Sequence, residues 1–241
     1  MLIKTRAIVL HSIKFGESQY IVDMFVKETG RVAFIQKVLP SGRGKIRKQL
    51  FQPLSLLDIE FDLRPKVRLQ RLKEARLLVP YATIPFDPYK LSLTIFVAEF
   101  LLHVTRNEQQ NKPLFEYVAA SLQWLDGCER SFSNFHLVFM MRLSLFVGFF
   151  PNLDKAGDGV FFDFRAGCFV RQQPLHPDFL PPADAARLRV LMRMTFDNMH
   201  LFAMSRVERN LCVDFILKYY RLHFPDFPEM KSLDVMKSLF A

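Results

Sequence analysis

Cysteine is scarce in this chain. Cys128, Cys168 and Cys212 are the only three in 241 residues. They are too few and too scattered for a disulfide framework or a paired-cysteine metal site, so reduced thiols in a cytoplasm are the simplest expectation. Long apolar runs are missing as well. The most apolar stretch, Phe135 to Phe150, is interrupted by His136 and Arg142 and is shorter than the ~20 residues a spanning helix needs. It reads as a core helix, and no membrane is implied. Lys4 and Arg6 break the first apolar run, which argues against a signal peptide.

Catalytic signatures are absent too. There is no HExxH, no nucleophile elbow and no glycine-rich dinucleotide fingerprint. Gly44-Lys45 suggests a phosphate loop, but Ile46 stands where Ser or Thr is needed and Leu39 where glycine is needed. The six histidines, His11, His103, His136, His176, His200 and His223, lie far apart, and each reads as a core or surface side chain. A binding protein is expected, not an enzyme.

Acidic residues are sparse in the first third. Residues 1–80 carry 16 Lys and Arg against 7 Asp and Glu, and the rest of the chain carries 17 of each. The whole net charge of +9 therefore resides in the first 80 residues. Its densest stretch is Lys37 to Lys48, with Lys37, Arg43, Lys45, Arg47 and Lys48 and no acid. A proline, a serine and two glycines make it a loop. Taken alone, one basic loop is more often a solvated surface. Placed inside a segment with this charge bias, it suits a polyanion.

The loop interrupts a strand-like region. Strands are expected over 5–13, 18–27, 31–37, 54–63 and 67–79, with turns at Gly16, at Glu28-Thr29-Gly30 and at Arg64-Pro65-Lys66, and one helical turn near 45–50. Five short strands in meander-like order predict a closed five-stranded OB-fold β-barrel, an architecture that binds oligonucleotides across one face. The fifth strand adds Lys66, Arg68, Arg71 and Lys73, and its alternation slips near Arg71–Leu72, where a bulge is expected. Tyr20, Phe25, Phe34, Phe51 and Phe61 fall in this region. Bases could stack on them, but a domain this small needs most of them in its core.

Pro80, Pro85 and Pro88 then mark a change to helical spacing. Helices are expected over 89–104, 113–127, 134–148, 184–194 and 207–223, with irregular chain over 151–182 that includes a small hairpin at 160–170. The expected class is α+β. An OB domain at 1–80 and a linker at 81–88 precede an α-helical domain at 89–241.

Several stretches carry a likeness. They are Arg6-Ala-Ile-Val-Leu-His, Gly16-Glu-Ser-Gln-Tyr-Ile-Val, Thr29-Gly-Arg-Val, Phe51-Gln-Pro-Leu-Ser-Leu-Leu-Asp-Ile-Glu, Glu74-Ala-Arg-Leu-Leu and Leu145-Phe-Val-Gly-Phe-Phe-Pro-Asn-Leu-Asp. In these, and over nearly its whole length, the chain resembles the bacterial RecO family of DNA repair proteins. The resemblance implies an OB domain followed by a helical domain. It implies binding of single- and double-stranded DNA, strand annealing, and partnership with RecR and single-strand-binding protein when the recombinase is loaded, all in the cytoplasm. Many members carry a four-cysteine zinc site after the segment matching Asn152-Leu-Asp. Here 155–177 offers only Cys168 and His176, so a degenerate zinc-ribbon-like hairpin held by packing, without zinc, is expected. The DNA-binding residues expected are Lys37, Arg43, Lys45, Arg47, Lys48, Lys66, Arg68, Arg71 and Lys73. An RNA binder would share the first eighty residues. An anionic-membrane binder would need a basic amphipathic helix, and the positive charge here lies on loops and strands.

Overall fold

β-Branched and aliphatic residues, with period-two alternation along the second segment, produce three antiparallel strands within the first 37 residues. A computed structural model describes residues 1–38, 46–224 and 226–239. Strands β1 (Leu2–Phe15), β2 (Gln19–Val26) and β3 (Gly30–Lys37) pair in sequence, and β4 (Leu56–Asp62) pairs with the other side of β1. One face of these strands forms the core. Ala7, Val9, Val22, Met24, Phe34, Leu57, Ile59 and Phe61 are buried together, and Phe34 meets Phe61 edge to face at 5.1 Å. Tyr20 packs at the margin of this cluster, and Phe25 turns to the other face. The expected allocation of most aromatics to this core thus holds for Phe34, Phe51 and Phe61, while Phe25 is buried on the opposite face of the sheet.

The closed five-stranded OB barrel is corrected. The hydrogen-bonded sheet is open and mixed, with six strands in the order β5-β3-β2-β1-β4-β6. The segment expected as one strand over 67–79 is two. β5 (Leu69–Gln70) runs parallel to β3, and β6 (Leu72–Leu77) runs antiparallel to β4, with Arg71 between them. The cause is local. The side-chain amide of Gln70 is turned inward, accepting from the Arg64 N–H at 3.0 Å and donating to the Arg64 and Val67 carbonyls at 3.0 and 2.6 Å. That ties the residue to the preceding turn. The β4–β6 register then shifts between Glu60 and Phe61, so alternation does not carry through. The sequence slip at Arg71–Leu72 marked this place, but a continuous fifth strand did not follow.

The chain divides into two compact units, 1–127 with 230–236, and 128–229 with 237–241. In the first, α1 (Pro88–Val104) starts on Asp87, whose carboxylate accepts from the N–H groups of Tyr89 and Lys90 at 2.8 and 3.1 Å. Helix α2 (Lys112–Gly127) places Phe115 against Phe25, so the two helices cover one end of the outer sheet face. Arg31 fixes that end, donating to the Leu102 carbonyl at 3.1 Å and pairing with Asp23 at 3.2 Å. Gly30, at φ +76°, lies directly under the Glu108 and Gln109 carbonyls, where a Cβ would overlap them. The Pro-rich stretch is latched as well. The Asp126 carboxylate accepts from the N–H groups of Ala82, Thr83 and Ile84 at 2.8 to 2.9 Å. Burial pushes this carboxyl up, but those donors outweigh it and hold it below the ordinary range.

The second unit is built on α3 (Phe135–Phe146), α4 (Pro182–Arg193) and α5 (Arg206–His223), with a small sheet in the order β8-β7-β9. Strands β7 (Phe161–Asp163) and β8 (Cys168–Val170) form the expected hairpin, and β9 (Phe179–Leu180) adds a third strand that the sequence reading left in the irregular stretch. Phe162 packs on Phe164, Phe169 and Tyr219 at 5.0 to 5.9 Å. Helix α5 opens on a complete Ser205–Glu208 capping box. A short α6 (Leu233–Ser238) lies near the C-terminus. Among the described residues no helix is long and apolar enough to cross a membrane.

Candidate nucleic-acid interface

The basic residues sit on strand ends and turns, where side chains of a sheet must leave the core. Lys37 is exposed at the last position of β3, opposite Gln19 of β2. Arg43 and Lys45 lie outside the described residues. Arg47 and Lys48 are exposed where the chain enters a 3-10 turn at Lys48–Phe51. Lys48 extends over the Tyr20 ring, with Nζ 5.7 Å from its centroid. Tyr20 pairs with Gln36, next to Lys37. Register and ring contact thus bring Lys37 and Lys48 to one end of the β2–β3 pair.

The turn that carries Lys48 is tied to β1 further along the sheet. Ser12 donates to the Phe51 carbonyl at 2.9 Å, and the backbone of Leu54 donates to the Val9 carbonyl at 2.7 Å, where β1 carries a bulge. Leu54 is fully buried at φ +61°, a conformation an ordinary side chain adopts only when its surroundings impose it. Tyr81 donates its hydroxyl to the Leu54 carbonyl at 2.9 Å, and burial, with Asp126 nearby, raises that phenol's pKa. The sequence reading did not assign these anchors.

The second row is only partly brought together. Arg71 and Lys73 line a hollow of about 460 Å³ with Asp62, Arg64, Ile35, Val67, Leu69, Gln70 and Leu72. Lys66 and Arg68 are exposed on the neighbouring turn and do not line it. Lys73 pairs with Asp62 at 2.8 Å, and its ammonium holds that carboxyl below the usual carboxylate range. Arg64, read in the sequence as a turn residue only, belongs to this group. Among the described residues no ion pair engages Lys37, Arg47, Lys66, Arg68 or Arg71.

A second hollow, of about 480 Å³, has the opposite character. It is lined by Lys4, Arg6, Lys27 and Arg76, but also by Glu28, Asp58, Glu60 and Glu74. Lys4 pairs with Glu60 at 2.9 Å and Arg76 with Glu74 at 3.0 Å. Charges balanced in this way leave little field for a polyanion.

The residues of the β7–β9 hairpin do not fit a zinc ion. His176 approaches Asp163 through Nε2 at 3.3 Å and accepts the Asp178 N–H on Nδ1 at 3.2 Å, so both ring nitrogens are engaged. Asp178 is already compensated by Arg165 at 2.8 Å and Lys218 at 3.4 Å. Among the described residues no three His, Cys, Asp or Glu side chains are grouped to hold a metal.

Comparison with known proteins covers the whole chain. The family model "Recombination protein O N terminal" matches residues 1–81, and "Recombination protein O C terminal" matches residues 85–233. The chain is 50% identical over 241 residues to the DNA repair protein RecO of Phocaeicola vulgatus, and 48% identical to that of Bacteroides fragilis strain ATCC 25285, with both partners covered completely in each case. Identity to the DNA repair protein RecO of Flavobacterium psychrophilum is 30%, again over the full length of both.

Proposed function

The chain belongs to the RecO family, and from that membership we propose that it grips DNA through the cationic end of its six-stranded sheet. As a family member it is a non-catalytic mediator of DNA repair and recombination. The interface comprises Lys37, Arg47 and Lys48 at the β2–β3 end, with Arg43 and Lys45 between them in sequence. Lys66, Arg68, Arg71 and Lys73 form a second row. The observation that carries this assignment is that, among the described residues, Lys37, Arg47, Lys66, Arg68 and Arg71 are exposed cations in no ion pair, while those of the β1–β4–β6 hollow are neutralised.

Such contacts reach phosphates, not base edges, so they set position and carry no sequence information. Both single and double strands should bind. Two strands neutralised on one protein repel each other less, which is how a protein without a catalytic centre can promote annealing. RecR and single-strand-binding protein are the partners we assign. A place on the nucleoid, in the cytoplasm, follows from DNA as the target. For the apolar end of an acidic single-strand-binding-protein tail, α1 offers Leu91 and Ile95, one turn apart and exposed, with Phe86 before the helix. RNA would meet the same phosphate-directed cations, and family membership is what favours DNA.

Fluorescence anisotropy with single- and double-stranded oligonucleotides across a salt series tests the assignment. Affinity should fall steeply and linearly in log salt, nearly independent of sequence. Binding that salt does not weaken would overturn it.

A further inference from the structure

The outer face of the β1–β2–β3 sheet is covered along only half its length. At one end Phe25 lies under Phe115 of α2, and Arg31 reaches the end of α1. Toward the other end the register places Ile13 beside Ile21 and Ile21 beside Ile35, forming a cross-strand aliphatic row. The next row is Phe15, Gln19 and Lys37. Ile13 is 45% exposed and Phe15 53% exposed, while Ile21 and Ile35 are half-buried. The parallel pairing of Ala33 with Leu69 continues the apolar surface onto β5, where Ile35, Val67 and Leu69 share the hollow with Arg64, Arg71 and Lys73. Neighbouring strands are ~4.8 Å apart, so the three isoleucines make a platform ~10 Å wide.

We propose that this platform, Ile13, Phe15, Ile21 and Ile35, receives unpaired bases, so that the same site distinguishes single-stranded from duplex nucleic acid. The inference rests on the phosphate-binding reading of the sheet end. It adds a contact that phosphates cannot provide. A single strand offers the flat apolar faces of its bases once they unstack. A duplex keeps those faces inside its stack and presents sugars, phosphates and polar edges. An aliphatic row with one exposed phenyl ring therefore has a complement only in the single strand. Charge places the occupant as well. Lys37 and Arg71 flank the row, Arg64 lines the same hollow as Arg71, and Lys73 there is held by Asp62. A strand laid across the platform would keep its phosphates over cations while its bases face the isoleucines.

The test uses the full-length protein, an oligo-thymidine and a random duplex of equal length. Doubling Phe15→Ala with Ile13→Ser should weaken oligo-thymidine binding about tenfold at every salt concentration. The salt slope should stay unchanged, because no cation is removed, and duplex affinity should also stay unchanged. Phe15→Leu, which keeps an apolar side chain at this exposed position, guards against a folding defect and should lose less. An independent readout is Phe15→Trp, whose emission should be quenched by oligo-thymidine and not by duplex. Equal losses on both nucleic acids, or no loss on the single strand, would overturn the platform. Failure of the wild-type protein to bind either nucleic acid in a salt-dependent way would refute the phosphate reading itself, a distinct outcome.

Discussion

Lys48 stands with its ammonium 5.7 Å above the ring of Tyr20. One residue opens the 3-10 turn after the basic loop and the other belongs to β2, so the contact ties that turn to the sheet. A cation over a partly exposed ring such as this contributes about 0.5–1 kcal/mol. Tyr20→Leu should therefore weaken DNA binding two- to fivefold by letting Lys48 wander, while Tyr20→Phe should bind as the wild type does. The salt slope should not change in either variant, since no charge is lost. Anisotropy titrations of the two variants at matched salt decide it, and identical affinities would detach the ring from the site.

Removing the charges themselves should act on the slope. Each phosphate contact adds roughly −0.7 to the slope of log K against log salt on single strands. Replacing Arg43, Lys45, Arg47 and Lys48 together by alanine should flatten the slope by about two to three units, because not all four need touch phosphate at once. Annealing should fall in parallel, and the melting temperature should hold. A folded quadruple variant with an unchanged slope would leave only the Lys66–Lys73 row as the phosphate site.

How much of this was legible depends on range. The first three strands and the three longest helices followed from alternation and helical spacing, because each element's pattern is local. The break at Arg71 was half-legible. The slip in alternation was visible in the sequence, but Gln70 folding back on the Arg64 turn is a side-chain choice that no period encodes. The nine cations were legible as charge. Among the seven described, the division into paired and unpaired was not, since Lys73 meets Asp62 only through the β4–β6 pairing. The aliphatic row was hidden in the same way. Ile13, Ile21 and Ile35 become neighbours only once the register is known.

A charge web joins the β7–β8 hairpin to α5 beside the aromatic packing of Phe162. Asp178 joins Arg165 from the hairpin to Lys218 from α5, and Lys218 also lies 5.2 Å over the Phe164 ring. Asp178→Asn should lower the melting temperature and make it less sensitive to salt, whereas a chelator should leave the wild-type melting curve unmoved. Stoichiometric zinc by elemental analysis of chelator-free protein would contradict this account.

His136 gives the protein a pH dependence of its own. It lies fully buried on α3, and burial, with the Arg209 guanidinium acting the same way, depresses its pKa from 6.5 to about 3. The folded state therefore holds this imidazole neutral, while the unfolded chain protonates it below about 6.5. More protons bind to the unfolded state in that window, so stability is full above pH 6.5 and declines as pH falls toward 3. The decline approaches about 1.4 kcal/mol per pH unit for one such group. His103, whose pKa is lowered chiefly by burial, adds to it in the same direction. Urea unfolding midpoints between pH 7 and pH 5 should fall accordingly, above the range where most carboxylates begin to titrate. His136→Leu should flatten the profile by close to one proton, whatever it does to stability at pH 7. A profile as steep in that variant as in the wild type would place the titrating group elsewhere.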